Sequence, residues 1–104
     1  MENNELTYDC RRRAAKILSY RPMSKGELRR KLIMKGEPSD AADDAVEYLA
    51  ELGFIDEAQY AEDVARHYSA KGYNKWRVKQ ELNRHLVPRE FWETALENFP
   101  EPEE

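Results

Sequence analysis

The chain repeats one pattern of helix-ending signals and charge at an offset of 50 residues, and this predicts two similar units of three helices each. Residues 6–50 align with residues 56–100 without a gap. A basic middle segment and an acidic third segment recur in both copies, although any two segments of three helices could align to this degree. The identical pairs are Ala15/Ala65, Ser19/Ser69, Lys25/Lys75, Leu32/Leu82, Pro38/Pro88, Ala45/Ala95 and Glu47/Glu97.

Residues 21–36 contain the best-marked helix, with a start signal and a stop signal. Arg21-Pro22 ends the preceding helix, because proline disfavours the α conformation in the residue before it. Ser24 and Glu27 have the spacing of a capping box, and Gly36 is typical of the position just beyond a helix end. The pattern predicts a helix of about three turns with one apolar stripe and one cationic face.

Apolar residues recur at helical spacing almost throughout, and no stretch alternates over the length of a strand. We therefore predict an all-α fold of tandem three-helix repeats, stacked into a short elongated helical array. The first repeat is expected at residues 5–53 and the second at residues 54–100, with a disordered acidic tail at residues 101–104. The positions predicted to face inward, helix by helix, are Cys10, Ala14, Ile17 and Leu18; Leu28, Leu32 and Ile33; Ala42, Ala45, Val46, Leu49 and Phe54; Tyr60, Ala61, Val64, Ala65 and Tyr68; Val78, Leu82 and Leu86; Phe91, Trp92, Ala95, Leu96 and Phe99.

The junction between the repeats offers candidates for a shared core. A unit of about 45 residues is near the lower limit for independent folding, so each repeat is expected to stabilise the other. The apolar residues at the junction are Leu52, Phe54 and Ile55. The third helix of the first repeat is expected to begin with a cap at Ser39 or Asp40.

The charge changes sign from segment to segment, although the whole chain carries only −4 at pH 7. Residues 11–35 sum to +9, residues 36–65 to −10 and residues 66–89 to +6. The negative total argues against a dedicated non-specific DNA-binding protein, whereas the local pattern predicts a cationic second helix in each repeat. An ordinary solvated face is the alternative. The residues expected to bind a partner are Arg29, Arg30, Lys31, Lys71, Lys75, Arg77 and Lys79.

Two aromatic residues, Tyr73 and Trp76, interrupt the second basic segment. Bases interleaved with aromatic rings are typical of proteins that bind single-stranded nucleic acid through phosphate neutralisation and base stacking. The alternative, which is more common in short helical proteins, is that both rings fill space between helices.

No set of residues for catalysis, metal binding or cofactor binding can be assembled, so no enzyme and no cofactor are predicted. His67 and His85 lack the spacing of metal ligands, and the glycines form no phosphate-binding loop. Cys10 lies beside three arginines that could lower its thiol pKa, but a small inward residue is the favoured interpretation. With one cysteine, no long apolar run and no signal peptide, the chain is expected to be a monomeric cytoplasmic protein without membrane association.

Three strings of the sequence carry a resemblance to a known family. They are RPMSKGELRRKLIMKG at residues 21–36, DDAVEYLAELGFIDEAQYAEDVARHYSAKG at residues 43–72, and RVKQEL at residues 77–82. In their order and spacing, over residues 8–99, they resemble the RecX family of bacterial recombination regulators.

The resemblance implies a stack of three-helix repeats that binds the RecA filament along its helical groove and inhibits its ATPase, strand-exchange and coprotease activities. It also implies that single-stranded DNA within the filament could be contacted. Two departures stand out. Members usually have three such repeats and two are found here, and Val87-Pro88 stands where the family often has a small apolar residue followed by Ser or Asp.

The rival interpretation is a small nucleic-acid-binding module of the helix-turn-helix type, which also has three helices and basic segments. The charge of the third helix argues against it. That helix would enter the major groove, and it is acidic in both repeats.

Overall fold

A computed structural model of the chain describes residues 2–97, with side chains described from Tyr8 onward. The chain divides into two compact units, Met1–Asp56 and Glu57–Glu104. No strand occurs among residues 2–97, so the all-α prediction is confirmed, whereas the repeat boundaries and the stacking stay predictions. The elements are α1 (Glu2–Leu18), α2 (Lys25–Met34), α3 (Ser39–Glu51), α4 (Glu57–Ala70), α5 (Lys75–Arg84), a 3₁₀ turn (Arg89–Phe91) and α6 (Trp92–Glu97).

In the first unit, α3 packs against both α1 and α2 around one apolar core. Small side chains such as Ala14, Ala42 and Ala45 are fully buried where the helices meet, which lets their axes approach closely. Met23 joins the core from the connection before α2, a position that helical periodicity could not indicate. The buried core members whose side chains the structure describes are Cys10, Ala14, Met23, Leu28, Leu32, Ala42, Ala45, Val46, Leu49 and Ile55.

In the second unit, α4 packs against both α5 and α6. Val78 and Leu82 on α5 are fully buried, as their counterparts Leu28 and Leu32 are on α2. Val87, in the connection after α5, is also buried. Among the described residues, the buried members of this core are Tyr60, Ala61, Val64, Ala65, Val78, Leu82, Val87, Ala95 and Leu96.

The predicted capping box at the start of α2 is confirmed. The backbone N–H of Glu27 donates to Oγ of Ser24 at 3.1 Å, and the backbone N–H of Ser24 donates to Oε1 of Glu27 at 3.1 Å. In the second unit Asn74 caps α5, because its side-chain oxygen accepts from the backbone N–H of Arg77 at 2.9 Å. Each second helix therefore has a defined first residue.

The cap predicted at Ser39 or Asp40 is wrong. Pro38 occupies the N-cap position of α3, and its side chain makes no capping hydrogen bond. Asp40 still places a carboxylate in the first turn of α3, where the helix dipole favours it. Pro88 stands in the same way before the 3₁₀ turn of the second unit.

Three residues predicted to face inward are exposed: Ile33, Phe54 and Leu86. Ile33 lies one position beyond Leu32, which rotates it about 100° away from the buried stripe. Phe54 follows Gly53, whose positive φ of 87° turns the chain out of α3. Phe91 and Trp92 are only half-buried, and Phe99 and the predicted tail at residues 101–104 lie outside the described residues.

The prediction of a shared core is also wrong for two of the three junction residues, and the sharing of the third between the repeats stays a prediction. Ile55 is buried within the core of the first unit. Leu52 and Phe54 are exposed, Phe54 to 66%. The tight turn at Gly53 explains the difference, because it separates Ile55 from the end of α3 and leaves the preceding apolar residues outside.

Both second helices end with the same hydrogen-bond pattern, although different residues make it. The N–H of Glu37 donates to the carbonyl of Leu32 at 3.0 Å, and the N–H of Val87 donates to that of Leu82 at 3.0 Å. This pattern requires a positive φ at the residue before the donor, which is 101° at Gly36 and 58° at Leu86. Leu86 thus adopts a conformation that costs a residue with a Cβ about 1–2 kcal/mol.

We expect Gly36→Ala to lower the free energy of unfolding by about 1–2 kcal/mol. A Cβ at Gly36 would meet no atom within 4 Å, so backbone strain alone causes the loss. Urea unfolding followed by circular dichroism measures it. Lys35→Ala, at the preceding residue with φ of −86°, is the control and should change stability by less than about 0.5 kcal/mol. Equal stability of the two variants would contradict the expectation.

Cys10 should be an unreactive thiol in the folded protein. Its side chain is fully buried, and burial, followed by the nearby carboxylate of Glu37, raises its pKa from 9.0 to about 11. Labelling by a thiol-specific disulfide reagent at pH 8 should therefore be slow, and urea should accelerate it strongly. Equal labelling rates with and without urea would show an accessible thiolate.

The same shift predicts a loss of stability at alkaline pH. Because the folded protein holds the thiol proton more tightly than the unfolded chain, the stabilisation is fully present below pH 9 and is lost as pH rises through about 11. Urea unfolding across this range measures it. Cys10→Ala removes the thiol and should show a shallower decline than the unaltered protein, since only the other titrating groups remain.

Candidate partner-binding surface

Arg29, Arg30 and Lys31 on α2 are all exposed. Arg30 lies opposite the buried Leu28 and Leu32, and Arg29 and Lys31 lie on either side of it. Arg29 forms an ion pair with Asp43 on α3. Within the described part of the chain, the side chains of Arg30 and Lys31 make no ion pair, hydrogen bond or ring contact. These two residues are therefore the cations of α2 that remain available to a partner.

The acidic residues of α3 bind bases of the other two helices in the same unit. Asp44 accepts from Nε and Nη2 of Arg11 on α1 at 2.9 and 3.1 Å, and this bidentate contact raises the pKa of Arg11. Glu47 lies 3.4 Å from Nζ of Lys25, and Asp43 binds Arg29. The acidic face is thus an internal partner of the bases, and it leaves Arg30 and Lys31 outside the network.

On α5 the predicted cations differ in their surroundings. Cζ of Arg77 lies 3.8 Å from the centroid of the Tyr73 ring, and Nζ of Lys71 lies 5.7 Å from that of Tyr68. Lys75 is half-buried. Lys79 is exposed and has no ion-pair partner among the described residues. The seven predicted residues therefore form two groups, each within its own unit. The groups are Arg29, Arg30 and Lys31 on α2, and Lys71, Lys75, Arg77 and Lys79 on or just before α5.

A polar cluster holds the end of α5 against α4. His85 places Nδ1 3.3 Å from the hydroxyl of Tyr60 and Nε2 3.5 Å from that of Tyr68. Oε1 of Glu81, which is buried, lies 4.0 Å from Nε2 of His85. Burial, followed by the Glu81 carboxylate, raises the pKa of Tyr68. Glu81 occupies the position in the second unit that Lys31 has in the first. The second unit therefore has a carboxylate in the polar cluster where the first unit has an exposed cation.

The sequence-based assignment missed three residues of this surface: Trp76, Arg84 and Arg89. Trp76 is 64% exposed, so it does not fill space between helices, whereas Tyr73 is half-buried and does. All three line a groove of about 610 Å³ together with Lys79 and Trp92. Helical periodicity could have located Trp76, because two residues before the buried Val78 is about 200° around the helix.

Two further features of the described residues bear on function. No group of three histidine, cysteine, aspartate or glutamate side chains is placed to hold a metal ion there. Among the helices that the structure describes, none combines the length and the apolar character needed to cross a membrane.

Family models match most of the chain. The model described as RecX, first three-helix domain, matches residues 10–49, and the model described as RecX, second three-helix domain, matches residues 56–96. These ranges correspond to α1–α3 and to α4–α6.

Several proteins called regulatory protein RecX are similar in sequence. The one from Vibrio cholerae is 42% identical over 73 residues, which cover 70% of this chain and 48% of that protein. The one from Vibrio vulnificus is 33% identical over 92 residues, covering 88% of this chain and 60% of that protein. The chain thus spans about half to three fifths of the length of these curated relatives.

The fold also matches a solved structure. The crystal structure of RecX from Lactobacillus salivarius aligns with a TM-score of 0.81 and 21% identity, covering 89% of this chain and 61% of that one. At this identity the likeness concerns the fold alone. With both family models matched in order along the helices, the chain belongs to the RecX family.

Proposed function

We propose that this protein is a regulator that binds the RecA filament and inhibits its ATPase, strand-exchange and coprotease activities. It acts in the cytoplasm as a monomer, by binding and not by catalysis, without a cofactor. Membership of the RecX family and relatives named regulatory proteins support the proposal. The observation that carries it is the exposed cationic face of the second helix in both units.

The exposed cations are better explained by binding to a partner than by a contribution to the stability of the fold. Surface ion pairs contribute only about 0–1 kcal/mol to stability, and Arg30, Lys31 and Lys79 lack even that contribution within the described residues. Unpaired charges on a rigid helix instead accelerate association with an oppositely charged surface. A nucleoprotein filament presents such a surface repeatedly, and we propose that the same cations contact its single-stranded DNA.

The rival function, a helix-turn-helix module for duplex DNA, lacks a comparable supporting observation. Asp43, Asp44 and Glu47 on α3 are occupied by bases of their own unit. A recognition helix needs cations near the phosphates and donors at the bases of a major groove, and α3 contains no basic residue.

We expect Arg30→Glu/Lys31→Glu/Lys79→Glu to abolish inhibition of the DNA-dependent ATPase of RecA. Stability should change little, since these side chains are exposed and make no ion pair among the described residues. The measurement is ATP hydrolysis by RecA on single-stranded DNA, combined with co-sedimentation of the protein with the filament. Binding by the unaltered protein should weaken with salt, because exposed charges are screened over about 8–10 Å at 0.1–0.15 M ionic strength.

The matched control reverses three exposed bases away from α2 and α5. Arg12→Glu/Lys16→Glu/Arg66→Glu changes the net charge by the same amount and should retain inhibition. If both variants lose inhibition equally, net charge and not the proposed surface is responsible. If the unaltered protein neither inhibits RecA nor sediments with its filament, the proposed function fails as a whole.

A further inference from the structure

We propose that the groove beside α5 in the second unit is a binding site for single-stranded nucleic acid, with Trp76 as its stacking platform. Its role in the cell rests on the proposed function, but the binding itself does not involve RecA. The site comprises Trp76, Lys79, Asn83, Arg84, Arg89 and Trp92.

Trp76 has the exposure and the placement of a ligand-binding ring. It is 64% exposed on a helix whose other face is fully buried, and it contributes nothing to either apolar core. Trp92, across the same groove, is held in place because its Nε1 donates to the carbonyl of Val87 at 2.9 Å. The groove thus has one ring open to solvent and one fixed ring. Its volume of about 610 Å³ accommodates a nucleobase with its sugar and phosphate.

The charges around the groove fit a phosphate backbone. Lys79, Arg84 and Arg89 line it, against one acid, the largely buried Glu81. Arg84 lies 3.8 Å from Glu81 and Arg89 lies 5.2 Å from the centroid of the Trp92 ring, so both are positioned before a ligand arrives. Lys79 has no ion-pair partner in the part of the chain that the structure describes. The groove therefore carries an excess of positive charge beside an unpaired aromatic face.

Single-stranded nucleic acid matches this combination better than duplex DNA or an acidic protein segment. Every base has a flat face that can stack on an exposed indole, whereas the bases of a duplex are already stacked on each other. An acidic protein segment would satisfy the cations but would leave the indole face without a partner. Stacking on an indole does not distinguish one base from another, so little sequence preference is expected.

The test measures binding of a short oligothymidine to the full chain, without RecA, by fluorescence anisotropy and by tryptophan quenching. Trp76→Ala should weaken binding about 5- to 150-fold, the range for loss of one stacked base, and Trp76→Phe should retain most of the affinity. An abasic strand of equal length, which keeps the phosphates, should bind as weakly to the unaltered protein as oligothymidine binds to Trp76→Ala. Three phosphate contacts predict a slope of about −2 for the logarithm of the binding constant against that of salt concentration.

Phe54→Ala is the matched control, since Phe54 is equally exposed, at 66%, but lies in the first unit. It should bind oligothymidine like the unaltered protein, and circular dichroism should show equal helicity for all variants. The proposal is overturned if Trp76→Ala binds as well as the unaltered protein, if the abasic strand binds equally, or if polyglutamate competes as effectively as oligothymidine. If the unaltered protein binds oligothymidine but does not inhibit RecA, the proposed function is rejected and the nucleic-acid site is retained.

Discussion

Burial of two apolar side chains on the second helix of each unit is the interaction on which the rest of this structure depends. Leu28 and Leu32 on α2, and Val78 and Leu82 on α5, are fully buried. Helices of ten residues are marginal in water by themselves, and each such side chain contributes about 1.5–3 kcal/mol when buried. This burial also sets the rotation of both helices, and with it the direction in which their cations point.

The two units share the same order of helices, but the residues around the cations of their second helices differ. In the first unit, the acids of α3 bind Arg11, Lys25 and Arg29 and leave a small cationic patch on α2. In the second unit, Cζ of Arg77 lies 3.8 Å from the centroid of the Tyr73 ring. The replacement of Lys31 by Glu81 at the matching position shows the divergence most clearly, because Lys31 is exposed and Glu81 is largely buried beside His85. The second unit also has a groove with an open indole face.

Local patterns predicted much of the fold and part of the candidate site. The all-α class and the capping box at Ser24 depend on interactions within a few residues, so the sequence alone was sufficient for them. The inward positions of Leu28, Leu32, Val78 and Leu82 follow from the helical period. Arg30 lies on the side of α2 opposite the buried stripe for the same reason. Trp76, like Ile33, Leu52, Phe54 and Leu86, is exposed although an inward position was predicted for it.

What the sequence by itself determined is the number and type of local elements, the buried stripe of each helix and the charge of the opposite face, since all of these arise from neighbouring residues along one helix. Tertiary structure decided which charges remain available and where apolar residues fall at helix ends. Asp43 and Arg29 are 14 residues apart in the chain, and they form an ion pair only because α3 packs against α2. Leu86 is exposed because α5 ends there with a positive φ. The groove at Trp76 exists because the turn after Pro88 brings Arg89 and Trp92 to α5, a long-range arrangement that periodicity does not contain.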